Sequence, residues 1–295
     1  MNVYRSFRMV SLVLFLLTGF VVTGVGAASD TPWDVPLPFA AGEVSYKISG
    51  TLKGEKTIYV KDYGRSTAEY SQTAMTMYGM KQEQKEVVLT TPEWVYTADL
   101  VEKTGTRQAN MKKFLRQEYQ ALSPGDKKKM TTNAEKMGIS TLEGAGGRVD
   151  KKAATILGYP CDKVTLMGTE SYTITGTDLP LKIQGDTMGM KMMQEAVAVT
   201  VKKVDGDRFE LPAGIRFDHN PAVDDIMKHQ ARNIVQRLVE GKQPDMASGY
   251  QMSQGSGAGM QGTGQMPQST GQGSEDTSLG DMQEKVNSLL KGMFD

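Results

Sequence analysis

Methionine is the residue whose placement first suggests chemistry. The 295-residue chain holds 20 of them, and two groups are dense: Met75, Met77 and Met80, then Met188, Met190, Met192 and Met193. In an extended chain Met75 and Met77 share a face, as do Met188, Met190 and Met192. Thioethers at Met75, Met77, Met188, Met190 and Met192 could ligate a soft ion such as Cu(I). The simpler reading is adaptable apolar lining for a core or a lipid cavity, because Met fills irregular space readily.

Other chemistry-bearing residues are sparse. The two histidines, His219 and His229, do not reinforce a metal site, and His229 reads as a surface partner of Asp225 on a helix. Cys161 is the single cysteine, so no internal disulfide or Cys/His zinc cluster is available. A lone thiol is most simply buried and inert. Gly257-x-Gly259-x-x-Gly262 matches a dinucleotide fingerprint in form, but no strand precedes it and no helix follows. Gly144-Ala145-Gly146-Gly147 lacks the Lys-Ser/Thr of a phosphate loop. No Gly-x-Ser-x-Gly elbow or His-Glu-x-x-His is present. The chain therefore reads as a non-enzyme with no cofactor. Its 34 basic and 34 acidic side chains leave no net charge to attract nucleic acid.

These residues need elements to position them, and both ends read differently from the middle. Residues 1–27 have the form of a signal peptide: Arg5 and Arg8, an apolar run from Val10 to Val25, and the small residues Val25-Gly26-Ala27. The expected localisation is exported and periplasmic. Residues 246–275 are a Gly/Gln/Met/Ser-rich linker, with no Leu, Ile, Val, Phe or charge from Met246 to Ser274. Residues 276–295 regain helical spacing through Leu279, Met282, Val286, Leu289, Leu290 and Met293, an amphipathic helix that needs a partner surface.

Residues 30–245 form the expected domain. Val44, Tyr46 and Ile48 alternate with Glu43, Ser45 and Lys47 in a half-buried antiparallel strand. Further strands follow at 58–60, 65–76, 80–90 and 94–100. Helical stripes are expected over 107–122, 124–137 (ended by Gly138) and 221–240, with Ser123 and Asn220 as caps. More strands surround Val164, Tyr172, Leu181 and Val199. The fold class is α+β: a curved antiparallel sheet, an unclosed β-barrel, packed on a few helices.

Ile156-Leu157-Gly158-Tyr159-Pro160-Cys161-Asp162-Lys163, with Leu179-Pro180-Leu181-Lys182 and Phe209-Glu210-Leu211-Pro212, resembles an exported bacterial family of unassigned function. That family is similar to periplasmic lipoprotein carriers of the LolA/LolB type. The resemblance covers roughly residues 40–215 and implies a half-barrel holding acyl chains. The expected function is an exported carrier or binding protein for a lipid-like apolar ligand or a lipidated protein. Val44, Tyr46, Ile48, Met75, Met77, Trp94, Met188 and Met190 are the expected lining, between sheet and helices. A Met-based copper-handling protein is one alternative. An envelope assembly protein, reaching an envelope partner through its C-terminal helix, is another.

Overall fold

The alternation of apolar and polar residues becomes a sheet in the computed structural model, which describes residues 31–77, 80–144, 146–166, 168–187 and 190–242. The signal, linker and tail-helix expectations, and Met188, lie outside the described residues. A first meander runs β1 (Gly42–Gly50), β2 (Leu52–Lys61), β3 (Ser66–Met77), β4 (Met80–Thr90), β5 (Trp94–Asp99) and β6 (Thr104–Ala109). Helices α1 (Met111–Gln120) and α2 (Pro124–Gly144) follow. A second meander runs β7 (Arg148–Ile156), β8 (Tyr159–Leu166), β9 (Thr169–Ile174), β10 (Pro180–Thr187) and β11 (Met190–Val201). The short β12 (Phe217–His219) and α3 (Pro221–Glu240) end the described chain. The meanders join through β1 and β11 into a 12-stranded sheet, β12-β6-β5-β4-β3-β2-β1-β11-β10-β9-β8-β7. It is α+β and unclosed, as expected, but mixed, because β12 pairs parallel to β6.

The sheet curls. Phe39 lies 3.3 Å from the Cβ position of Gly42 in β1 and stacks edge-on with Tyr159 of β8 at 6.2 Å. A flat sheet would hold those strands about 19 Å apart, at about 4.8 Å per step. The enclosed cluster contains Leu37, Phe39, Val44, Tyr46, Val60, Cys161 and Leu181. The register puts the cluster of the first meander on the opposite face, since side chains directly opposed across a ladder share a face. Tyr59, Ala68, Leu89 and Tyr96 are successive partners there. They are covered by Phe209, Ile215 and Phe217. The row Glu55, Lys47, Glu195, Lys182, Tyr172, Lys163 alternates in sign or stacks cation on ring, which suits a face in water.

The helices form a third cluster around Trp33, with Leu115, Met130, Ala231, Val235 and Leu238. It shares no residue with the cluster holding Val44 and Tyr46. Asn110 and Asn220 cap α1 and α3 by accepting from the N–H of Lys112 and Ala222. Gly241 ends α3 in the left-handed conformation (φ 71°), and Asn133 of α2 donates to the Leu238 carbonyl at 2.8 Å.

Two expectations are corrected. The helix expected from 107 begins at Met111, because residues 104–109 form β6. Gly105 is held there by distant residues: a Cβ would stand 2.8 Å from the Phe217 ring and 2.9 Å from Ile215. Helix α2 continues past Gly138 to Gly144, since one interior glycine costs only about 1 kcal/mol against Ala. Residues 148–156, with no clear alternation, form an edge strand that is largely exposed.

Candidate functional site

The residues expected to line one cavity separate into three environments. Val44 and Tyr46 are 0% and 2% exposed and belong to the closed cluster, so they serve packing. The Tyr46 hydroxyl donates to the Pro180 carbonyl at 2.9 Å. Burial, with the Glu69 carboxylate adding to it, pushes that phenol far above its usual range.

Trp94 lies on the other face, and this corrects its assignment to the apolar lining. It falls two residues before Tyr96, on the face of Tyr59 and Leu89. Its ring meets the Arg107 guanidinium at 4.5 Å, Lys113 at 5.6 Å and the His219 ring at 5.4 Å. His219 Nε2 is 2.7 Å from Asp224 Oδ2, and Asp224 Oδ1 accepts from the Ala109 N–H at 2.9 Å. Arg107 lies 3.5 Å from His219 Nδ1. Both imidazole nitrogens are engaged, so neither is free to act as a general base. The group pins β6 and β12 to the start of α3. Helical spacing points instead to a pair between His229 and Asp225, and the structure gives the histidine contact to His219 and Asp224.

The third environment is the end of the sheet nearest the hairpin tips. On the face of Ile48, one row reads Thr73, Gly54, Ile48, Gln194, Ile183, Ser171 across six strands. The next row outward pairs Met75 with Leu52, Gly50 with Met192, and Met192 with Gly185. Beyond it, Met77 pairs with Met80, and Met190 with Thr187. The side chains of Met77 and Met190 lie outside the description. Backbone register alone therefore brings the two methionine groups of the sequence to the same end of one face.

This end is partly open and has a bare floor. Gly50 and Gly54 place no side chain on it, whereas at Gly185 the Thr169 hydroxyl already stands 2.9 Å from where a Cβ would be. At Gly50 (φ 110°) an added Cβ would stand 2.2 Å from the Lys191 carbonyl oxygen. Met75 and Leu52 are half-buried, whereas Met80 is 64% and Met192 39% exposed. An open cleft of about 380 Å³ also lies at this end of the strands, but Thr165, Glu170, Gln184, Asp186 and Lys191 in its lining belong by register to the opposite, charged face. Ile48 stands at the inner margin of this region, 7% exposed, beside the fully packed cluster.

Among the described residues no group of three or more His, Cys, Asp or Glu could hold a metal. Cys161 is buried, its thiol donating to the Tyr159 carbonyl at 3.4 Å, and burial raises its pKa. Such a thiol is a poor nucleophile. The residues of the Ile156–Lys163 stretch have structural roles. Leu157 and Gly158, both at positive φ, make the two-residue turn between β7 and β8. Asp162 faces the irregularity where β7 slips register between Asp150 and Ala154. Its Oδ1 accepts from the Lys152 N–H at 2.9 Å and the Thr175 hydroxyl at 2.8 Å, and its Oδ2 accepts from Lys151 at 3.0 Å. No helix among the described residues is long and apolar enough to cross a membrane.

No protein-family model and no curated protein matches the sequence. Among solved structures, the chain is similar to an uncharacterized conserved protein from Thermus thermophilus. The TM-score is 0.37 at 8% identity, over 62% of this chain and 92% of that one. It is also similar to PNGF-II, with a TM-score of 0.31 at 13% identity, over 65% of this chain and 33% of PNGF-II.

Proposed function

We propose that the protein is a non-enzymatic binding protein for a lipid-like apolar ligand, which it takes up at the methionine end of the sheet. The observation carrying this reading is the register that gathers Leu52, Met75 and Met192 around a glycine floor on the Ile48 face. Apolar, flexible side chains beside bare backbone fit an aliphatic chain, and a water-facing structural surface has no need of them. Val44 and Tyr46 hold the sheet behind the site. An exported carrier that passes such a ligand to an envelope partner is the cellular role in keeping with this chemistry.

The test is binding of the apolar fluorophore N-phenyl-1-naphthylamine to the purified chain, with organic extraction of protein from its native compartment. Fluorescence should rise on binding. The double change Met75→Lys and Met192→Lys should weaken it by ~10-fold or more, because it puts charge against aliphatic surface. The same thioethers are the donor set of a Cu(I) site. Met75→Leu with Met192→Leu separates the two readings, since it keeps apolar contact and removes sulfur. Probe binding should survive that change, and metal-dependent behaviour should not. No probe binding together with no extracted lipid refutes the proposal.

A further inference from the structure

Gln194 is 8% exposed and sits between Ile48 and Ile183 on the site's face, one row inward from Met192. Its Nε2 is buried and has no hydrogen-bond partner. A buried amide donor left unpaired is destabilising, so it is either satisfied by something that comes and goes or is a net loss. Its immediate neighbours on this face offer no hydrogen-bonding oxygen: Ile48 and Ile183 stand directly opposite it, and Met192 and Ala196 lie two residues away along its own strand.

Resting on the apolar-ligand reading, we infer that Gln194 is the polar anchor of the site, donating from Nε2 to the carbonyl oxygen of an acyl ester or amide. The class follows from charge as well as from hydrogen bonding. Nε2 is a donor, so it requires an acceptor. Gln194 is neutral, and the adjoining positions Ile48, Ile183, Gly54 and Ser171 are uncharged. Lys56, opposite Tyr46 one row further in, is already matched by Glu69 at 3.3 Å. An ionised carboxylate entering here would lose water without gaining a counter-charge, whereas an ester carbonyl brings an acceptor and no charge. The acyl end enters toward Gln194, and the aliphatic chain runs out over Gly50 toward Met75 and Met192.

The experiment displaces the fluorophore from the full chain with methyl laurate, laurate at pH 8 and dodecane, each delivered from cyclodextrin. It is run on wild type and on Gln194→Leu. Wild type should prefer methyl laurate to dodecane by about 10-fold, the effect of one buried hydrogen bond. It should also bind laurate more weakly than the ester. Gln194→Leu should erase the ester preference, leave dodecane binding within about 2-fold, and melt no lower than wild type, because it removes an unpaired polar group. Equal displacement by ester and dodecane in wild type overturns the anchor while leaving the apolar site standing, and so does tighter binding of laurate. A lower melting temperature for Gln194→Leu overturns it too, since the amide would then be bonded without ligand. Failure of all three compounds to displace, with no fluorophore binding, removes the apolar site itself.

Discussion

Asp162 offers a stringent test of how the second meander is held. Its carboxylate is 9% exposed and fills the place where β7 carries extra residues opposite one position of β8. Three donors converge on it. Lys151 is 41% exposed, so its ion pair is screened and contributes little. The Lys152 N–H and the Thr175 hydroxyl matter more, because both end on Oδ1 away from water. Asp162→Ala leaves those two donors without a charged acceptor, at about 1.5–3 kcal/mol each before relaxation, so a loss of about 3 kcal/mol is expected. Asp162→Asn keeps a neutral acceptor at Oδ1 but loses the charge that strengthens both bonds, together with the ion pair, at about 1–2 kcal/mol. Burial opposes ionisation here, but the bonds from Lys152, Lys151 and Thr175 outweigh it and hold the carboxyl below its usual range. A depressed carboxyl contributes stability that is fully present above the unfolded value, about 3.9, and is lost as pH falls through the folded one. Urea denaturation at pH 7, 5 and 3 should show a constant gap between wild type and Asp162→Asn at the first two and a smaller gap at the third. A gap that does not change at pH 3, or an Asp162→Ala protein within about 0.5 kcal/mol of wild type, refutes the assignment.

Leu157 holds φ 49° in the turn between β7 and β8 and is 44% exposed. Leu157→Asn should raise stability by about 0.5–1 kcal/mol in thermal melts, since Asn tolerates that region and little packing is lost; a lower melting temperature contradicts the turn geometry. Gly105→Val should cost about 2 kcal/mol or more by driving Phe217 and Ile215 off β6, read as earlier urea unfolding with loss of the ring contact between Tyr96 and Phe217.

The first two strands were legible because apolar and polar residues alternate at period two, the next three because turn signals such as Asp62-Tyr63-Gly64 and Pro92 bound them, and the cap at Asn220 because Pro221 follows it. Strand β6 was not, because Thr104-Gly105-Thr106-Arg107-Gln108-Ala109 shows no apolar alternation. Its identity depends on Phe217 and Ile215, which arrive from far along the chain. Both methionine groups stood out by composition. Their meeting at one end of the sheet depended on the pairing of β1 with β11, a long-range register that local periodicity does not encode. Gln194 was invisible for a related reason. It lies in a run, Met190 to Val201, with apolar residues at neighbouring positions, so nothing local marks which of its side chains is buried.

The joint between the meanders also bears on how the chain reaches this fold. Each meander pairs neighbours in sequence and can assemble from short loops. Strand β1 has β2 beside it early, but its other edge stays bare until Val44 finds Val199 and Gly42 finds Val201. Contacts of such wide separation close late and slowly. Throughout that interval β1 presents an unpaired backbone edge and the apolar side chains of Val44, Tyr46 and Ile48, the combination most prone to pair with another copy. The rate at which β11 docks on β1, more than the strength of either meander, therefore sets how long the nascent protein is exposed to aggregation.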